Sequence, residues 1–351
     1  MRTVDFHAHL AAGDPSKEPP FLRAMFDPEG YLERQASAGV ELTVLANALM
    51  ADTPGDELVE AQRQHEFLSD LVGRHPGRFL ALAGVDPWGG QRWLDEAERA
   101  LDSGFAGLVV EPSRDGVYLD APEAQDVFAL ANERSGVVFV HPSRTPITDE
   151  HTGDSMLTLW IGRPYDTGVS ICRMLMADTL GPHPDVKLVV AHGGGVVPML
   201  LGRLDRVLGV RKMVAALAGG GGGPPGGGPP GGGPPGGGPP GGGPPGGGPP
   251  GGGPPGAVGP SLGRHALVTA LEGDSPSERM RNMYLDTACY HPAGVMAAIA
   301  SVGVDHVLFG SDHPPVDQSP QPSVDLICQM DLHEEDRDKI LFGNAGRLLG
   351  L

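Results

Sequence analysis

Four histidines and one aspartate stand at the ends of short apolar runs, and their types suggest a metal site. His7 and His9 close VDFHAHL, His141 closes VVFVHP, His192 closes KLVVAHGGG, and Asp312 closes VLFGSDHPP. His7 and His9 are two residues apart, so on a strand both side chains face one side. Neutral imidazole and carboxylate together suit one divalent first-row ion, zinc first, then manganese or iron. A lone His at a strand end is ordinarily a hydrogen-bonded structural residue. Five such groups at corresponding ends are not explained that way.

Bringing these residues together requires a fold that gathers strand ends. Eight β-branched or apolar runs are legible: Thr3–His7, Leu42–Ala46, Phe79–Val85, Gly107–Val110, Val137–Val140, Lys187–Ala191, Met283–Asp286 and Val307–Gly310. Helical patterns lie between them, such as GDELVEAQRQHEFLSDLVGRH, GQRWLDEAERALDSG and VVPMLLGRLDRVLGVRKMVAAL. Gly39 and Gly136 stand where helices close before a strand. Continuous apolar strands alternating with helices imply a parallel sheet covered on both faces. Eight units predict an α/β fold of the (β/α)8 TIM-barrel type, in which active sites assemble at the C-terminal strand ends. A doubly wound open sheet is the competing reading, weakened because no G-x-G-x-x-G follows the first run.

The ordered set His7-x-His9, His141 in HP, His192 in HGGG and Asp312 in GSD resembles the amidohydrolase superfamily. It is most similar to the branch containing amino-carboxymuconate-semialdehyde decarboxylase. NMYLDTA and the ending LFGNAGRLLGL also fit that branch. The resemblance implies that His7, His9, His141 and Asp312 bind one metal and that His192 serves as the acid/base beside it. This division agrees with the chemistry: a metal acidifies bound water, and a nearby His titrating close to neutrality can exchange its proton. Asp312 is a candidate proton donor as well as a ligand. No Lys obviously bridges two ions, so a single metal is expected.

Substrate contacts follow from the same resemblance. Arg203, eleven residues after His192 in LLGRLDR, matches an Arg that contacts a substrate carboxylate from a neighbouring subunit, which implies a homodimer. Arg23, before FDPEG, is a second candidate carboxylate contact. Trp160 and Arg163, in LTLWIGRP, fall in a long segment after the fifth run that reads as a pocket-walling loop. His313 either lines the site or packs. Tyr290 stands where many relatives carry a His. His75 and His183 read as turn residues, and His65, His306 and His333 as surface or strand-entry residues.

The implied reaction is metal-dependent, non-oxidative decarboxylation of a small unsaturated or aromatic carboxylic acid, through metal-bound water or direct chelation of the substrate. A hydrolase of an amide, ester or lactone, or a hydratase, would use nearly the same site. A non-catalytic binding or assembly barrel is the alternative of another class.

Composition narrows the partners. The net charge of −19 argues against nucleic acid or an anionic membrane surface. Three widely spaced cysteines and no apolar leader favour a reducing, cytoplasmic setting. One feature is foreign to the barrel pattern: GGGPP repeats seven times from Gly221 to Pro255. Gly and Pro alone build no core, so residues 218–260 are expected to be a disordered insertion within a single barrel spanning 1–351. It falls between the helix after the sixth run and the seventh run, so ligands lie on both sides of it.

Overall fold

The computed structural model describes residues 2–47, 56–134, 136–219, 273–316 and 319–351. Repeating strand and helix units build a parallel ring. In chain order its first half is β1 (Val4–Ala8), α1 (Pro28–Ser37), β2 (Leu42–Ala46), α2 (Glu57–Arg74), β3 (Phe79–Gly84), α3 (Gln91–Asp102) and β4 (Gly107–Val110). A short antiparallel hairpin, β5 (Ser113–Arg114) and β6 (Val117–Tyr118), precedes α4 (Gln125–Glu133) and β7 (Val137–Val140). Then come α5 (Asp149–Thr152), α6 (Ser155–Leu157), a π-helical turn over Thr158–Gly162, α7 (Arg163–Ala177), β8 (Lys187–Val190) and α8 (Val197–Gly219). The chain ends with α9 (Pro276–Met280), β9 (Tyr284–Asp286), α10 (Pro292–Val302), β10 (Val307–Leu308), α11 (Gln321–Gln329), α12 (Glu334–Asp338) and α13 (Asn344–Leu349).

The main sheet has the order β1-β2-β3-β4-β7-β8-β9-β10, all parallel. Phe6 N donates to Phe309 O at 2.8 Å and His9 N to His313 O at 2.9 Å, joining the first strand to the last and closing the ring. This is the expected (β/α)8 barrel, and the eight runs read from sequence match its strands to within a residue or two at each end. No helix among the described residues is long and apolar enough to cross a membrane.

Strand side chains alternate between two apolar layers. Phe6, Val44, Leu82, Val109, Phe139 and Val189 fill the barrel interior. Ala83, Leu108, Val138 and Val190 face outward and pack beneath the helices. The helices start where the sequence supplies caps. Asp27 accepts from Gly30 N at the start of α1, Asp56 from Leu58 N at α2, and Ser275 and Glu278 form a reciprocal capping box at α9. Asn344 is fully buried and donates to Val304 O and Val307 O, pinning α13 to β10.

Two expectations are corrected. The segment after β7 is mostly helical rather than a loop. Its principal helix, α7, buries the small or polar Asp166, Thr167, Gly168 and Ser170 in its first half, and only Ile171, Met174 and Leu175 in its second half form an apolar stripe, too short to declare the whole helix. His65 is not a surface residue: it is 2% exposed and lies 2.6 Å from Glu96 across α2 and α3. The repeat and its expected disorder lie outside the described residues.

Candidate metal centre and pocket

The C-terminal strand ends converge as the topology requires. His7 lies within β1, His9 just past it, His141 directly after β7, and Asp312 four residues past β10. One potential ligand atom from each of these four buried residues falls within 4.8 Å of all the others. His9 Nε2 is 3.0 Å from Asp312 Oδ1, and His7 Nε2 is 3.2 Å from His9 Nε2 and 3.4 Å from Asp312 Oδ1.

The electrostatics fit a cation. Burial, then the adjacent rings of His7, His9 and His192, hold the His141 imidazole well below its ordinary range. His141 is therefore a neutral ring with available lone-pair electrons, and among the described residues neither of its ring nitrogens has a hydrogen-bond partner. Burial also lowers His9, with Asp312 opposing. At Asp312 burial favours the neutral acid, but His7, His192 and His9 outweigh it and hold the carboxyl well below its usual range. Three imidazoles, an ionised carboxylate and two orphaned nitrogens form a donor set suited to one divalent ion.

Asp286, at the end of β9, was not singled out in sequence, although it closes the seventh run as the ligands close theirs. Its Oδ2 lies 2.6 Å from His7 Nδ1, and its Oδ1 accepts from Gly193 N at 2.9 Å and Ala288 N at 3.1 Å. A proton on His7 Nδ1 directed at Asp286 leaves Nε2 facing the cluster as an acceptor. Asp5 supports the same strand from below: it takes hydrogen bonds from Ser311 Oγ, Ser311 N and His7 N, and burial raises its carboxyl to about 6.

His192 lies beside the four-residue set, with Nε2 3.4 Å from Asp312 Oδ2. The glycines after it turn the chain through φ of +63°, +81° and +61°. At Gly195 a Cβ would collide with the Pro164 carbonyl of α7, so the close neighbour there is another part of the chain. Tyr290 Oη donates to Asp312 Oδ2 at 3.2 Å. His192, Tyr290 and Asp312 all adopt left-handed backbone, at φ +56°, +54° and +54°.

The remaining candidates divide. Arg163 is part-buried, donates to Ser143 O at 2.9 Å, and lies within electrostatic reach of Asp312. Trp160 is 49% exposed on the π-turn, edge-on to Tyr290 with ring centres 6.4 Å apart. His313 is fully buried, its ring against Tyr31 and its Nε2 3.2 Å from Arg34 Nε, so it packs under α1. Arg203 is exposed on α8, and Arg23 is exposed with its Nε donating to Glu18 O; neither meets the cluster within one chain.

Comparison with known proteins agrees with this arrangement. The family model described as Amidohydrolase matches residues 4–351. A 2-amino-3-carboxymuconate-6-semialdehyde decarboxylase from Dictyostelium discoideum is 24% identical over 197 residues, covering 55% of this chain and 55% of the relative. The chain thus spans about half the length of that relative. A dihydroxybenzoic acid decarboxylase from a Polaromonas species, solved with manganese and 2-nitroresorcinol, superposes with a TM-score of 0.71 at 19% identity, covering 99% of this chain and 97% of that one. A manganese-containing 5-carboxyvanillate decarboxylase from Novosphingobium aromaticivorans gives 0.75 at 15% identity, covering 99% and 96%. With its ring of eight strands, its candidate metal-ligating cluster at their ends and a family match over nearly its full length, this chain belongs to the amidohydrolase family.

Proposed function

We propose that the chain is a metal-dependent, non-oxidative decarboxylase of a small aromatic or unsaturated carboxylic acid. The observation that carries this reading is the buried His7–His9–His141–Asp312 cluster with the Arg163 guanidinium within its field. A cation site beside an arginine suits a substrate that is itself an acid. The decarboxylase names of the relatives support the choice of reaction over hydrolysis.

His7, His9, His141 and Asp312 would hold one divalent ion. Zinc is favoured by the ligand types, while manganese is the ion in the two structural neighbours. When bound, the ion supplies Lewis acidity toward the substrate's carboxylate and its neighbouring oxygen. The chain's own residues do the rest. Arg163 orients the carboxylate that leaves as carbon dioxide. The carbon that loses it must gain a proton, and His192 and Asp312, 3.4 Å apart, can hold that proton between them. Trp160 walls the pocket mouth.

Arg203 shares one exposed face of α8 with Met199, Val210 and Met213. This amphipathic face supports a homodimer in which Arg203 and Arg23 reach the partner's substrate. Residues 1–351 form one catalytic unit, and 218–260 are an insertion within it.

Metal-reconstituted protein offered hydroxylated benzoates and unsaturated diacids should release carbon dioxide from at least one of them. Silence across the panel with one metal bound per chain would overturn the reading.

A further inference from the structure

The inward-facing columns of three neighbouring strands end in polar residues. Leu82, Val109 and Phe139 point into the barrel, and two-residue steps carry these columns to Asp86, Glu111 and His141. Val110 pairs with Val140, and His141 N donates to Val110 O, so Glu111 and His141 leave β4 and β7 side by side. Glu111 is 2% exposed. Its Oε2 lies 3.3 Å from Arg144 Nη1, while Oε1 has no hydrogen-bond partner among the described residues.

Two neighbouring polar atoms share that condition: Ser143 Oγ and Arg163 Nε are buried without partners. Arg163 is lowered by burial and raised by both Asp312 and Glu111, so it stands in the field of the cluster and of Glu111 together. The other cations nearby are already engaged. Arg144 Nη2 is 3.1 Å from Glu57, whose second oxygen takes Arg114 at 2.6 Å, and Arg114 also pairs with Asp86. Buried polar atoms of this kind ordinarily meet water or a ligand. Burial also raises the Glu111 carboxyl to about 7, with Arg144 and Arg114 opposing, so near neutrality it can donate to a hydroxyl or accept from one.

We propose that Glu111, with Ser143 and Arg163, forms a specificity subsite on the β4 side of the metal cluster that takes a second ring hydroxyl of an aromatic acid. The proposal rests on the acid-substrate reading above and narrows it to dihydroxylated aromatic acids. Arg144 keeps Glu57 as a partner when Glu111 is changed, so the scaffold tolerates the substitution.

The test is calorimetric binding of 2-hydroxybenzoate and of the isomeric dihydroxybenzoates to the metal-loaded full chain. At least one isomer should bind about tenfold tighter than 2-hydroxybenzoate, the effect of one added hydrogen bond to a charged group. Glu111→Gln and Glu111→Ala should each erase that preference, leaving 2-hydroxybenzoate affinity and metal content at wild-type levels. Ser143→Ala should reduce it. The subsite is overturned by a wild type that binds no isomer better than 2-hydroxybenzoate, by a preference that survives both Glu111 variants, or by variants that lose metal. Because binding is read, an acid that binds without releasing carbon dioxide counts against the decarboxylase reading alone.

Discussion

His7 and Asp286 are joined by a 2.6 Å contact between two fully buried side chains, and the same carboxylate holds the backbone of Gly193. One residue on β9 thereby joins a candidate ligand on β1 to the loop that carries His192. Asp286→Asn retains an oxygen for Gly193 but presents an amide N–H to His7, which forces the opposite tautomer. Metal titration of chelator-stripped protein should show roughly a 10- to 100-fold loss of affinity. An unchanged affinity would mean that the contact does not orient the ligand.

His192 is expected to act on protons and not to hold metal. His192→Asn should keep wild-type metal content while kcat falls by about 10²–10⁴-fold with little change in KM. Loss of metal in this variant would move His192 into the ligand set.

Glu96 offers a stability prediction remote from the site. Burial alone would raise its carboxyl, but His65 at 2.6 Å, Arg99 and Gln62 outweigh that and bring it to about 2, from an ordinary 4.5. A depressed carboxyl stabilises the fold above its unfolded value, and that stability is lost as pH falls toward the folded value. Glu96→Gln should therefore cost about 2–3 kcal/mol at pH 7. The gap from wild type should narrow as pH drops from about 4.5 toward 2. Urea melts at pH 7 and pH 3 check this; a gap of constant size would refute it.

Deleting Gly221–Pro255 should leave metal stoichiometry and turnover close to wild type. The segment lies between α8 and α9, ahead of β9, and a helix-to-strand connection reaches a barrel on the face opposite the ligands. A collapse of metal binding on deletion would place the repeat at the site instead.

The ring was legible because buried parallel strands write themselves as continuous apolar runs, and those runs end in His7, His141, His192 and Asp312. The same rule that points to Asp312 also points to Asp286 after Tyr-Leu and to Glu111 after Val-Val. Acidic residues at loop entries are common, so neither stands out by type alone. α7 is hidden for a different reason: its first half must pass close to the glycine loop after His192, where a Cβ on Gly168 would meet Val196, so its buried apolar residues begin only at Ile171. His313 sits next to the candidate ligand Asp312 in sequence, yet its ring turns to Tyr31, because the left-handed backbone at Asp312 redirects the chain between the two side chains. Arg203 and Arg23 are exposed and lie away from the cluster within one chain, so their proposed role rests on the homodimer reading alone.

The left-handed backbone at His192, Tyr290 and Asp312 has a practical consequence for engineering. Each such residue costs about 1–2 kcal/mol relative to glycine. A screen that rewards heat resistance alone will favour glycine at these three positions and drift toward a sturdier, chemically inert barrel. Thermostabilisation is better sought on the outer helices, with this arc of the rim held constant.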